Sequence, residues 1–466
     1  MYIEQIYTNC LSEASYYIES AGEAVIIDPL RDTDKYLALA AQRNCTIKYI
    51  FETHFHADFV SGHLELAHQT GAAIVYGPNA KTNFAIQQVA DGEIIKLGQL
   101  QFKVLHTPGH TMESTCFLLQ DETGKDYAVF TGDTLFVGDV GRPDLFGAVM
   151  SKEELAGYLY DSLQQKLKPL ADHVIVYPAH GPGSSCGKNL GKETFSTIGT
   201  QKASNYALKD MSKESFIQEV TSGLSTPPQY FPFNAKINRE GYALMENLKS
   251  AYVALTPSAV AAHQANGVVV IDSRTADEFT EGFIPESIFI GLDGRFAEWA
   301  GSLIPLDKTI ILVTAAGKEQ ESMTRLARVG FDHIIGYLSG GFEAWKTAGM
   351  KIDMIINVDA DELRMDMQFD EKLSIIDVRK PSEFANGHID VALNFSLADL
   401  ESTIADLPNQ DNLYVHCAGG YRSVIAASIM KKYGIHTVRN VLGGWAKITE
   451  VTDMPLALPS KSAALN

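Results

Sequence analysis

The stretch Ile47-Lys48-Tyr49-Ile50-Phe51-Glu52-Thr53-His54-Phe55-His56-Ala57-Asp58 decides how the first half of the chain folds. Its front half is an apolar run of strand length; its back half packs two imidazoles and a carboxylate into a turn. Side chains two positions apart at a strand end can converge on one point, and imidazole plus carboxylate is a donor set that divalent metals accept. Three further candidate donors stand at similar strand-to-loop junctions: His110 in TPGHT, Asp133 in TGDTLF and His180 in YPAHG. A lone histidine is usually a satisfied core or surface residue. Four histidines and two aspartates, each ending a strand, point to a metal.

Working outward, EAVIID, AAIVYG, FKVLHT, YAVFTGD and HVIVYPAHG predict further buried strands that end in polar loops, with helices over 33–43 and 152–167. The segment Ser225–Asn234 holds three prolines in ten residues and predicts a connector, because consecutive prolines fit neither a helix interior nor a central strand. Beyond it the chain repeats itself. Asp272-Ser273-Arg274 with Glu278-Phe279 returns as Asp377-Val378-Arg379 with Glu383-Phe384, and Gly340-Gly341 with Trp345 returns as Gly443-Gly444-Trp445. Two copies of a unit of roughly a hundred residues are a tandem domain duplication. Each copy alternates strand-like and helical runs, the pattern of a parallel sheet covered on both faces.

The totals narrow the function. A formal charge of −19 and no clustered Lys/Arg block exclude a polyanion partner, so no nucleic acid is expected. No apolar run reaches membrane-spanning length and the N-terminus lacks an export signal, which predicts a cytoplasmic protein without a membrane partner. Five cysteines without a C-x-x-C pair suggest neither a disulfide framework nor a zinc knuckle. One of them stands out. Strand-like NLYVH runs into Cys417-Ala418-Gly419-Gly420-Tyr421-Arg422-Ser423, followed by helical VIAASIMKKYG. A thiol there faces unpaired backbone N–H groups and the positive end of a helix dipole, which favour the nucleophilic thiolate, and Arg422 adds fixed positive charge.

Taken with TPGHT, GDTLF and YPAHG, the His-x-His-x-Asp motif resembles the metallo-β-lactamase superfamily over residues 1–240. The resemblance implies an αββα sandwich with the metal at one edge, and its nearest branches are persulfide dioxygenases and glyoxalase II-type hydrolases. Dinuclear hydrolases of the superfamily carry a histidine directly after the motif's aspartate, where this chain has Phe59. The resemblance therefore implies one Fe(II) per chain on His54, His110 and Asp133, with zinc as the alternative, and leaves His56, Asp58 and His180 to a weak second site or a supporting shell. Gly141-Arg142-Pro143-Asp144 is similar to the dioxygenase segment whose arginine clamps a substrate carboxylate, which makes Arg142 a substrate-binding candidate. The Gly-rich GPGSSCGKNLG departs from that pattern and makes Cys186 a candidate persulfide carrier beside the metal.

The repeated unit resembles rhodaneses, which pass sulfane sulfur through a cysteine persulfide. Residues 250–352 are then a non-catalytic copy, with Ala315 aligned to Cys417 and Gln320 to Arg422, and 353–466 the catalytic one. Both are implied to be doubly wound α/β domains. Protein phosphatases also pair a thiol with an arginine, but their Cys-to-Arg loop is longer than Cys417–Arg422. Together the resemblances imply a persulfide dioxygenase–rhodanese fusion that takes a low-molecular-weight thiol persulfide and O2 to sulfite. At Cys417, steadied by Arg422, sulfane sulfur would pass to sulfite and give thiosulfate. The alternatives are a zinc thioester hydrolase of the glyoxalase II type with an accessory sulfurtransferase, and a sulfur-sensing scaffold. A homo-oligomer is expected.

Overall fold

The computed structural model describes residues 1–145, 150–370, 372–408 and 412–458. It divides into two compact units. The first holds Met1–Lys249 with Leu326–Asp332, and the second holds Ser250–Arg325 and the chain from His333 onward.

In the first unit, strands β1 (Tyr2–Thr8), β2 (Glu13–Ser20), β3 (Glu23–Ile27), β4 (Thr46–Glu52), β5 (Ala73–Tyr76) and β6 (Gln87–Gln88) form one sheet in that order. The second sheet runs β12 (Ser196–Thr197), β11 (Ile175–Pro178), β10 (Asp126–Gly132), β9 (Thr115–Gln120), β8 (Leu100–His106) and β7 (Ile94–Leu97). Their facing sides share one core. Tyr16, Ile18, Val25 and Phe51 of the first sheet meet Phe102, Val104, Phe117 and Phe130 of the second, and Phe51 stacks on Phe117 with ring centres 4.5 Å apart. The outer face of the first sheet buries Tyr36, Ala40 and Leu66 from helices Asp34–Gln42 and His63–Thr70. The other outer face buries Ala156, Leu159, Phe216 and Val220 from helices Lys152–Ser162 and Lys213–Thr221. Apolar faces on both sides of each sheet leave only this αββα layering as a way to remove them from water.

The predicted connector is only half a connector. Helix Phe231–Glu240 starts inside it with Pro232 in the first turn, where a missing N–H costs nothing. Here proline starts a helix instead of excluding one.

The second unit holds two parallel five-stranded sheets. The first takes the order β13 (Val253–Leu255), β17 (Ile334–Leu338), β16 (Ile310–Val313), β14 (Val269–Asp272) and β15 (Ile288–Phe289). The second takes the order β18 (Ile356–Val358), β23 (Val438–Val441), β22 (Leu413–His416), β19 (Ser374–Asp377) and β21 (Leu393–Asn394). The small strands β20 (His388–Ile389) and β24 (Leu456–Ala457) pair separately. Strand for strand the two orders are the same, as a duplication requires. Register corrects one alignment. Asp272 lies opposite Val313 as Asp377 lies opposite His416, so the residue in Cys417's place is Thr314, not Ala315. The conclusion stands: the first copy has no thiol there.

Among the described residues, no helix is long and apolar enough to cross a membrane.

Candidate functional site

The loops after β4, β8, β10 and β11 meet at one end of the two sheets. His54, His110 and Asp133 bring one donor atom each within 4.8 Å of one another, all three buried. His110 Nε2 lies 3.4 Å and His54 Nε2 3.9 Å from Asp133 Oδ2. Each imidazole is oriented through its other nitrogen. His110 Nδ1 pairs with the Arg142 carbonyl at 2.9 Å, and His180 Nδ1 with the Ser12 carbonyl at 3.1 Å. His54 Nδ1 meets Thr53 Oγ1 at 3.0 Å, and that hydroxyl donates to Asp28 Oδ2 at 2.8 Å. Asp28, directly after β3, has φ of +49°, a conformation that short polar side chains tolerate better than others. Such outer partners fix tautomer and ring direction at metal sites.

The inner atoms have no partners. His54 Nε2, His180 Nε2, Asp58 Oδ1 and both Asp133 carboxylate oxygens are buried without a hydrogen bond. Buried polar atoms left so are costly unless a cation satisfies them, and these donors fit a divalent metal. Burial, together with His56, His110 and His180, holds His54 well below the usual histidine range, the neutral form a ligand needs.

The remaining predicted residues fall into two groups. Asp58, His180 and Cys186 also bring donor atoms within 4.8 Å, with His180 Nε2 3.3 Å from Asp58 Oδ2 and 3.5 Å from Asp133 Oδ1. Cys186 thus supplies a third donor atom, so the second cluster is fuller than Asp58 and His180 alone would make it. Burial and the Asp58 and Asp133 carboxylates push the Cys186 thiol well up. His56 turns away from the triad toward Asp28 at 3.1 Å and Glu52 at 3.6 Å, its ring stacked on Phe59. Burial opposes its charge, yet Asp28, Glu52 and Asp58 push it up to about 10.

The substrate clamp expected at Arg142 is a correction. Its guanidinium is buried and engaged with Asp144 at 2.6 and 2.8 Å and with the carbonyls of Ser185 and Ser225. What the segment gives the metal centre is backbone. Gly141 donates to the Asp133 carbonyl, and a Cβ there would lie 2.1 Å from that oxygen and 2.8 Å from His110 Nδ1.

Two contributors escaped the sequence reading. Asn238, fully buried on helix Phe231–Glu240, donates to the carbonyls of His56 at 2.8 Å and Phe59 at 2.7 Å and accepts from Ser61 N. It pins the ligand loop from 180 residues away, a distance at which no local motif speaks. The same helix helps line a cavity of about 690 Å³ that also touches Phe55 and Ala57 of the ligand loop and Thr111 beside His110. Phe231 and Met112 give it apolar wall, and Lys81, Lys236 and Arg239 give it positive charge.

In the second unit Cys417 is buried at the carboxyl end of β22, the middle strand of its sheet, and its Sγ accepts from Gly420 N at 3.1 Å. Helix Tyr421–Lys432 starts directly after. The repeated Gly-Gly pair now has a reason. Gly444 sits at φ +54°, and a Cβ there would lie 2.3 Å from the Cys417 carbonyl, which accepts from Trp445 N at 2.7 Å. Arg422 forks onto Glu383 at 2.7 and 2.8 Å, so its charge is partly matched inside the domain. Its counterpart pair, Arg379 on Asp377, braces the neighbouring strand end.

Two packed sheets with a histidine–aspartate centre at one edge define a metallo-β-lactamase fold, and residues 8–180 match the family model described as the metallo-beta-lactamase superfamily. A solved structure described as a metallo-beta-lactamase from Staphylococcus aureus is 33% identical with a TM-score of 0.65, covering 72% of this chain and 98% of that one. The chain belongs to the metallo-β-lactamase superfamily. More particularly, residues 256–348 and 359–450 each match the rhodanese-like domain, so this member is a fusion with two rhodanese-like domains. The structure of ETHE1 from Myxococcus xanthus is 32% identical with a TM-score of 0.44, covering 51% of this chain and 98% of that one. Cytoplasmic hydroxyacylglutathione hydrolase of Arabidopsis thaliana is 33% identical over 176 residues, 37% of this chain; the match spans 65% of that relative's length.

Proposed function

We propose that the first unit is an iron-dependent persulfide dioxygenase and that the second domain copy carries sulfane sulfur on Cys417. The observation that carries the first half is the donor face of His54, His110 and Asp133. Two imidazoles and one carboxylate are the facial set of non-heme iron oxygenases. Iron(II) bound there supplies the redox chemistry that joins O2 to a sulfane sulfur. Overall, RSSH + O2 + H2O gives RSH, sulfite and two protons. The chain's own residues do the rest. Thr53, the Arg142 carbonyl and the Ser12 carbonyl hold three imidazoles in one tautomer. The cavity beside Phe55 admits a small thiol with apolar wall against its body, and Lys81 offers a cation to the substrate's carboxylate, Lys236 and Arg239 being drawn to Glu240.

At Cys417 the thiolate attacks the outer sulfur of RSSH, the S–S bond breaks, and RS⁻ leaves. Sulfite then attacks the outer sulfur of the enzyme persulfide, releasing thiosulfate and regenerating the thiol. The Gly420 N–H faces the sulfur and stabilises its anion in both steps.

A zinc thioester hydrolase is the second reading, favoured by the likeness to a hydroxyacylglutathione hydrolase. Phe59 weighs against it, since it leaves out one expected ligand of a two-metal hydrolase. Protein purified without oxygen separates the two. Iron content near one per chain and O2 uptake on glutathione persulfide support the dioxygenase. Zinc with hydrolysis of S-lactoylglutathione and no O2 uptake would replace it.

A further inference from the structure

The first rhodanese copy has no thiol, yet it grips the thiol loop of the second. Tyr421, the residue before Arg422, lays its ring on Gly291 and Gly294, where a Cβ would come within 3.1 and 2.3 Å of the ring. Its hydroxyl donates to the Gly291 carbonyl at 2.7 Å, and Phe289 N donates to Ser428 Oγ on the helix that follows the loop. Both glycines are therefore shaped to the other copy's active loop. Beside this grip lies a cavity of about 400 Å³, walled by Asp277, Thr280 and Asp293 from the first copy and by Gly419, Gly420 and Asn440 from the second.

The lining has a definite polarity. Among the described residues no lysine, arginine or histidine contributes to it, while two exposed carboxylates, Asp277 and Asp293, do. The cation behind Asp293, Arg325, is turned to the carbonyls of Leu292 and Gly294. Asn440 is 2% exposed and its Oδ1 has no hydrogen-bond partner, although its Nδ2 donates to Asn357 Oδ1. A buried amide oxygen without a donor is a place for a ligand N–H. Gly420, also in the lining, donates its N–H to the sulfur of Cys417. The seam thus joins Gly420, which is bonded to the Cys417 sulfur, to two carboxylates that suit a cation.

We propose that this seam binds the low-molecular-weight thiol that exchanges sulfur with Cys417, and that it selects thiols carrying a free ammonium group through Asp277 and Asp293. The inference rests on Cys417 being the sulfur carrier. It gives the first copy a task, as wall and selector, in place of a spacer.

The test uses the full chain and two donors, cysteine persulfide and N-acetylcysteine persulfide, with sulfite as acceptor and thiosulfate as readout. The wild type should favour the free amine by about fivefold in kcat/KM, through KM, as two solvent-facing ion pairs would give. In the double variant Asp277→Asn, Asp293→Asn the ratio between the two donors should fall to about one. Because it is a ratio on one preparation, a general loss of activity cancels. A wild type indifferent to acetylation overturns the proposal, as does a preference that survives in the double variant. Transfer from thiosulfate to cyanide by the wild type, a donor with no ammonium, reports on Cys417 separately. Its absence would remove the sulfur-carrier reading and this proposal together.

Discussion

Replacing Asn238 with alanine should loosen the metal loop without touching a metal ligand. The side chain satisfies two carbonyls, of His56 and Phe59, and one N–H, of Ser61, all buried. Each group left unpaired costs about 1–3 kcal/mol, and the losses are not fully additive because water can enter, so about 3–4 kcal/mol is the expected destabilisation. For a unit of this size that lowers its melting transition by roughly 6–16 °C. Asn238→Asp should be worse than alanine, since it turns a carboxylate toward two carbonyl oxygens. The assay is differential scanning calorimetry of the full chain beside its metal content after dialysis. The first unit's transition should fall and metal occupancy should fall with it. A melting shift under about 2 °C with full occupancy would refute the reasoning that the loop is pinned from this helix.

Cys417→Ser should abolish thiosulfate formation from sulfite while O2 uptake on persulfide continues; thiosulfate at the wild-type rate would mean another carrier. Gly444→Ala puts a Cβ 2.3 Å from the Cys417 carbonyl at a positive φ, and should cut sulfur transfer at least tenfold while iron content is unchanged. The Arg43 guanidinium holds Glu19 down to about 2, aided by the Tyr17 and Cys45 hydrogen bonds against burial. The folded pKa is below the unfolded value, so this stabilisation is complete above about pH 4.5 and lost as pH falls toward 2. In Glu19→Gln, urea midpoints should therefore change less across that window than in the wild type.

The sequence was legible where chemistry is local. The strand-to-loop junctions at His54, His110, Asp133 and His180 announced both the sheets and the centre they meet at, because each motif carries its own turn and donor. The thiol loop was equally plain, since strand, glycines, arginine and helix follow one another in a dozen residues. Contacts between distant segments were not legible. Asn238 looks like any polar helix residue, and the orientation of Arg142 depends on Asp144, Ser185 and Ser225 closing round it. Local rules misled at Ser225–Asn234, where proline is helix-compatible in the first turn alone, and at Thr314, where strand register rather than residue count sets the equivalence.

The reach of the supporting hydrogen bonds has a consequence for how the protein is made. Ser12, which orients His180, is synthesised first, and every donor of both clusters has left the ribosome before Asn238 appears. A nascent chain therefore displays every ligand before the Asn238 side chain can hold the carbonyls of His56 and Phe59, and an ion that arrives early meets a ligand loop still lacking that brace. That last brace closes only once translation has passed the helix after the prolines.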